Sequence, residues 1–171
     1  MDAYPWLAVT HGHALRFFFE HLRDVSDSDA VPERELLYNA SVLAHFATTS
    51  TASLEFPGTP STLRVVFDLF VMDSSQHADP EIMEAAGSQC LLLTGFFGAQ
   101  LNGRHNVDWY AALGANFYLQ AAAHGHDTSR VAMMTTMAAK FAFWRRQQAR
   151  LARDLHDLPR LLKAWRLEPV C

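Results

Sequence analysis

The chain has 171 residues, half of them hydrophobic and 19% charged. That is the composition of one globular domain, and it excludes disordered, collagen-like and disulfide-scaffold classes. The formal charge of −4 is unevenly spread: residues 1–126 hold 5 Lys/Arg against 14 Asp/Glu, and residues 127–171 hold 9 against 4.

Alanine (25) and leucine (21) far outnumber valine and isoleucine (11 together). Ala and Leu favour helices and β-branched residues favour strands, so the chain reads as all-α. The expected architecture is a single-domain bundle of six or seven helices over 1–171, with a long C-terminal helix. Residues 1–10 read as an irregular arm, and its opening Met1-Asp2 lacks the basic n-region of a secretory leader. A first helix is expected from His13 to Asp24. Its block Phe17-Phe18-Phe19 is too wide for one face and should meet two surfaces.

A second helix opens at Pro32, whose missing N–H is tolerated in the first turn, with Glu33 and Glu35 near the positive end of the dipole. Leu36, Ala40, Leu43 and Ala47 recur at helical spacing. Tyr38, His45 and Thr49 share another edge. Together with Trp109 they would form the polar corner of an apolar inter-helical pocket, the usual make-up of a small-ligand site. The run Thr48–Ser53 weakens the helix end, because hydroxyls bond the nearby backbone.

After the turn Phe56-Pro57-Gly58, Thr59 and Pro60 open a third helix with Leu63, Val66, Phe67 and Phe70 as its stripe. Asp79-Pro80-Glu81 opens a fourth, carrying Met83, Ala86, Cys90, Leu93 and Phe97. Gly87, Gly95 and Gly98 predict a close helix contact or a break near Gly95. Asn106 caps a fifth helix, Val107 to Ala123, whose small stripe Ala111, Gly114, Ala115 and Ala122 lets a neighbour approach closely. Gly125 is the expected left-handed stop.

Residues 127–158 read as one long helix, followed by a short tail over 159–171. Met134, Met137, Phe141, Trp144, Gln148, Leu151, Leu155 and Leu158 follow a 3-4 spacing, a heptad seam with one polar member. Its apolar residues Met134, Met137, Phe141, Trp144, Leu151 and Leu155 suit either a homodimer interface or the central helix of the bundle. Arg145, Arg146, Arg150 and Arg153 fall away from the seam. No helix-turn-helix or zinc signature accompanies them, so nucleic acid is not the expected partner. The basic face is expected to dock on the acidic first 126 residues.

His-Gly-His occurs twice, as His11-Gly12-His13 and His124-Gly125-His126. Four imidazoles brought together would hold a transition metal; no other cofactor is implied. Glu-x-x-His pairs of the di-iron type are missing. The Gly98–His105 stretch lacks the Lys and Ser/Thr of a phosphate loop, and Ser74, Ser75 and His77 lack a nucleophile elbow. No apolar run is long enough to span a bilayer. With Cys90 in an apolar run and Cys171 at the end, a reducing, cytoplasmic setting is expected.

The stretches Leu93-Thr94-Gly95-Phe96-Phe97, Val107-Asp108-Trp109-Tyr110 and Gly114-Ala115-Asn116-Phe117-Tyr118-Leu119-Gln120-Ala121-Ala122 resemble a group of uncharacterised helical bacterial proteins. Their pattern is G-F-F, V-x-Y-Y, G-x-x-A-Y-x-x-A. Trp109 stands here for the first tyrosine, and Phe117 precedes Tyr118. The resemblance implies a bacterial, helical, soluble protein and carries no activity. The expected function is that of a binding protein, homodimeric or engaging another protein. The alternative is a small-ligand protein or enzyme.

Overall fold

A computed structural model describes residues 11–26, 30–53, 77–101, 103 and 106–155, with the side chains of 11, 48–53 and 100 outside the description. Among these residues there are six helices and one four-residue helical turn, and no strand. They are α1 (His11–Val25), α2 (Glu33–Ser53), α3 (Pro80–Thr94), α4 (Gly98–Leu101), α5 (Val107–His124), α6 (Thr128–Ala139) and α7 (Phe141–Asp154). The chain is all-α, as its Ala/Leu balance predicts. The arm over 1–10, the helix expected after Thr59-Pro60, and the segment 156–171 with Leu158 and Pro159 lie outside the described residues.

The chain groups into two compact units, residues 1–55 with 150–171, and residues 56–149. In the first, α1 packs on α2. Helix α1 starts at His11, so the first His-Gly-His is helical backbone where punctuation before a helix is expected. Leu22 and Val25 are its buried residues, against Leu36, Ala40, Leu43 and Ala44 of α2 spaced four, three and one apart. Phe17, Phe18 and Phe19 are all half-buried, as a block wider than one face must be. The Phe17 ring meets the edge of Phe18 and lies 4.1 Å from the His21 imidazole, whose Nδ1 donates to the Phe17 carbonyl at 2.8 Å. Helix α2 continues through the Ser/Thr run to Ser53, with no early break.

In the second unit, α3 and α5 run antiparallel: Gly87 faces Tyr118, and Cys90 faces Gly114. The helix starts are capped as expected. Asp79 accepts from the N–H groups of Glu81 and Ile82, Asn106 from Trp109, and Asp127 from Arg130. Helix α3 stops at Gly95, where a Cβ would lie 2.8 Å from the Leu91 carbonyl and 3.1 Å from that of Arg145. Glycine lets α7 cross there. Gly125 ends α5 in extended backbone (φ −74°, ψ 151°), not in the expected left-handed conformation. Its lack of a side chain supplies room instead, since a Cβ would meet Val131 Cγ2 at 2.8 Å.

The long C-terminal helix bends at Lys140 (φ −103°, ψ 18°) into α6 and α7. Lys140 donates to the Thr136 carbonyl at 2.9 Å and Trp144 to that of Lys140 at 3.0 Å, and the i→i−4 ladder is interrupted over residues 141–143 between them. The heptad spacing is nevertheless kept in burial. Met134, Met137, Phe141, Trp144, Gln148, Leu151 and Leu155 are all at most 5% exposed. The described members of the seam are thus buried residues, as a heptad spacing predicts.

Candidate functional site

Tyr38, His45 and Thr49 sit on α2 in the first unit and Trp109 on α5 in the second. Tyr38 is half-buried, His45 is exposed, and the Thr49 side chain lies outside the described residues. Trp109 is 42% exposed and packs edge-on against Tyr110. The His-Gly-His segments are divided in the same way: His11 and His13 belong to the first unit, and the exposed His124 and His126 to the second. Among the described residues no group of three or more His, Cys, Asp or Glu side chains is arranged to hold a metal ion.

What the second unit does assemble is a cleft of about 210 Å³ at the start of α3 and the α5–α6 turn. Ala121, Val131 and Met134 form its apolar floor, while Glu81, Glu84, His126, Asp127 and Arg130 bring polar groups to it. The Glu84 side chain is only 12% exposed, and its Oε2 accepts from Arg130 Nε at 2.8 Å. Asp127 Oδ1 accepts the backbone N–H of Arg130 at 3.0 Å. One residue, Arg130, is thus fixed at both its backbone and its guanidinium.

A second arginine ties three helices together. Arg145 on α7 donates through Nε to the Thr94 carbonyl at the end of α3 (3.0 Å) and through Nη1 to Asp108 in the first turn of α5 (2.8 Å). It satisfies a C-terminal carbonyl that the helix leaves without a partner. The pairs Arg130–Glu84 and Arg145–Asp108 link the basic C-terminal stretch to the acidic remainder, as the charge split implies. Arg146, Arg150 and Arg153 are exposed, as Arg130 is. Arg145 is 27% exposed at its side chain and Asp108 89%. The ion pair alone is therefore worth under about 1 kcal/mol, and the carbonyl cap carries the larger share. Arg145→Ala should lower stability by about 1–2 kcal/mol in urea titration, and Arg146→Ala by less than about 0.5. Equal effects would show that the Thr94 cap contributes nothing.

Cys90 is a free thiol, fully buried between α3 and α5, and burial pushes its pKa from 9.0 up to about 12. Tyr110 is raised too, first by desolvation and then by repulsion from the Cys90 thiolate. A folded-state pKa above the unfolded one favours the folded protein below the unfolded value, and that advantage disappears as pH rises through the folded value. Between pH 9 and about 12 the protein should lose stability at up to ~1.4 kcal/mol per pH unit through this thiol. Cys90→Ala should remove that slope from alkaline denaturation curves compared at matched pH. Parallel curves would mean that the thiol is solvated.

Helix α5 also presents an outward face. Trp109, Ala112, Asn116, Leu119 and Ala123 are exposed on it, and Leu113 and Gln120 half-buried. Trp109 and Leu119 keep 42% and 52% of their surface in solvent. No charged residue lies between Asp108 and His124, a run of fifteen positions. The small residues expected to form a close-contact stripe divide. Ala111 and Gly114 are buried toward α3, while Ala115 and Ala122 are half-buried.

Sequence reasoning missed the cleft, because Glu84 and Arg130 are 46 positions apart with no local pattern joining them. It also missed the outward face of α5, although the signal was present as the uncharged run from Trp109 to Ala123. No helix among the described residues is long and apolar enough to cross a membrane. The chain matches no family model, no curated protein and no solved structure, so the resemblance at residues 93–122 brings no family with it.

Proposed function

We propose that this is a helical interaction protein that works as a homodimer in a reducing cytoplasm, with the outward face of α5 as its contact surface. The observation that carries the reading is the uncharged, exposed face from Trp109 to Ala123. Solvated helix faces ordinarily carry charge, and a contiguous apolar patch rimmed by polar residues is the mark of an interaction site. The low exposure of the seam residues on α6 and α7 supports a contact surface on α5. The free buried thiol of Cys90 suits a reducing compartment. Light scattering over a concentration series tests the dimer. A mass of twice 19.2 kDa is expected for the wild type, and 19.2 kDa for Leu119→Asp with an unchanged circular dichroism spectrum. A wild-type monomer at every concentration up to hundreds of micromolar overturns the reading.

A second reading is favoured by the cleft. Its apolar floor under Glu81, Glu84, His126, Asp127 and Arg130 is the make-up of a small-molecule site. It would replace the pocket expected at Tyr38, His45 and Trp109. Thermal-shift screening against metabolites and divalent metals decides it: a ligand at ~100 times its dissociation constant adds about 2.7 kcal/mol. No shift across the library, or a shift retained in Arg130→Ala, removes the cleft reading.

A further inference from the structure

Resting on the cleft reading, we infer that α6 is a lid over the cleft, a unit that unfolds locally while α3 and α5 stay folded and that is latched shut by the Arg130–Glu84 pair. Burial holds α6 less than it holds its neighbours. Over twelve residues it buries two side chains, Met134 and Met137, whereas α3 buries eight residues out of fifteen and α5 six out of eighteen. Opening α6 therefore exposes little apolar surface, and lids are drawn from such weakly buried elements.

The backbone isolates α6 at both ends. The i→i−4 ladder is interrupted over residues 141–143, so that of α6 stops at Lys140 and that of α7 begins anew with Trp144 donating to the Lys140 carbonyl. At the other end a three-residue turn, Gly125–Asp127, separates α6 from α5. The first turn of α6 is then closed by its own cap, Asp127 accepting the N–H of Arg130 at 3.0 Å. Helical order propagates through the ladder, so α6 can unwind without unravelling the helix on either side.

Unwinding of α6 takes away one wall of the cleft. Arg130, Val131 and Met134 of α6 line it together with Glu84 of α3 and Ala121 of α5. Ala121 is only 2% exposed while α6 is folded. Arg130 donates through Nε to Glu84 Oε2 at 2.8 Å, which ties the first turn of α6 to α3. Removing the charge of Glu84 loosens that tie and leaves the hydrogen bonds and buried methionines of α6 as they are.

Hydrogen exchange over a urea series tests the motion with no ligand present. The amides of residues 132–140 should exchange at least about tenfold faster than those of α5, with a weaker urea dependence than global unfolding. Glu84→Gln leaves the sequence of α6 untouched. It should speed those amides about two- to fivefold, the factor an exposed ion pair supplies, and leave α5 unchanged. In a Cys171→Ser background the thiol of Ala121→Cys should react with a maleimide faster by the same factor once Glu84→Gln is added. Exchange of α5 and α6 at one rate with one urea dependence overturns the lid. Acceleration of both helices by Glu84→Gln, or of neither, overturns the latch. Labelling of Ala121→Cys that does not follow α6 exchange overturns the link between opening and the cleft. The thermal-shift screen fails separately: no ligand in the library ends the small-molecule reading, while the opening of α6 is read by exchange alone.

Discussion

Trp144→Ala should lower the stability of the protein by about 3–5 kcal/mol, the largest effect expected of any single truncation here. Trp144 is fully buried and is the largest fully buried side chain among the described residues. It sits one turn past the Lys140 bend, with its N–H on the Lys140 carbonyl at 3.0 Å and its ring 5.3 Å from that of Phe143. Removing the indole abandons a large apolar area in a core where the remaining atoms relax only partly. Domains of this size hold about 5–15 kcal/mol in total, so the variant should melt 10 °C or more below the wild type. Trp109 is the informative contrast. It is 42% exposed and packs edge-on against Tyr110, so Trp109→Ala should cost monomer stability about 1–2 kcal/mol, well below Trp144→Ala, while weakening self-association. One substitution in two tryptophans thus separates folding from assembly. A urea midpoint for Trp144→Ala within about 1 kcal/mol of wild type would show that the α7 core is not packed as described.

The parts of this fold legible in the sequence are those whose causes are local. Asp79, Asn106 and Asp127 cap helices because a short polar side chain reaches an N–H two or three residues ahead. That geometry needs no knowledge of the rest of the chain. The 3-4 spacing of the seam likewise identifies which residues are buried, because periodicity fixes a face. It does not say what lies opposite, so a dimer interface and a bundle core looked alike. The Lys140 bend left no trace, since neither proline nor glycine stands there and helix formers flank it. Gly125 stops α5 as expected but for a different cause, the side chain of Val131 arriving from α6. The charge split was legible as a docking device, but which arginines dock depended on where α3 ends and α5 begins. For the candidate sites local pattern says least. Tyr38 and His45 share an edge of α2 with no pocket signal of their own. The cleft, in turn, joins residues that only tertiary contact brings together.

Gly114→Ala is the second large effect, and its sign depends on two opposed contributions. Alanine is the better helix former by about 1 kcal/mol, which favours the variant. Against this, the new Cβ would lie 2.6 Å from the Cβ of Cys90 and 2.6 Å from Cζ of Phe141, where carbon atoms prefer about 3.5–4.0 Å. The Cys90 Cβ is fixed to the α3 backbone and cannot swing aside, and the Phe141 ring is only 3% exposed. Relief therefore requires α3 and α5 to separate, which loosens the contacts along both helices. Overpacking should prevail, with a net loss of about 2 kcal/mol and a melting point roughly 4–8 °C lower. Gly87 and Gly98 rank below it. At Gly87 a Cβ would touch the Tyr118 ring at 3.0 Å, a closeness the ring can accommodate by a small shift. At Gly98 nothing lies within 4 Å, so Gly98→Ala should be neutral or slightly stabilising. Phe141→Leu should recover part of the Gly114→Ala loss in a double-mutant cycle, because it withdraws one of the two clashing groups. Cys90→Ala should not, because it keeps the Cβ that clashes. A Gly114→Ala protein as stable as the wild type, or rescue by Cys90→Ala in preference to Phe141→Leu, would mean that α3 and α5 are not held together at the glycine.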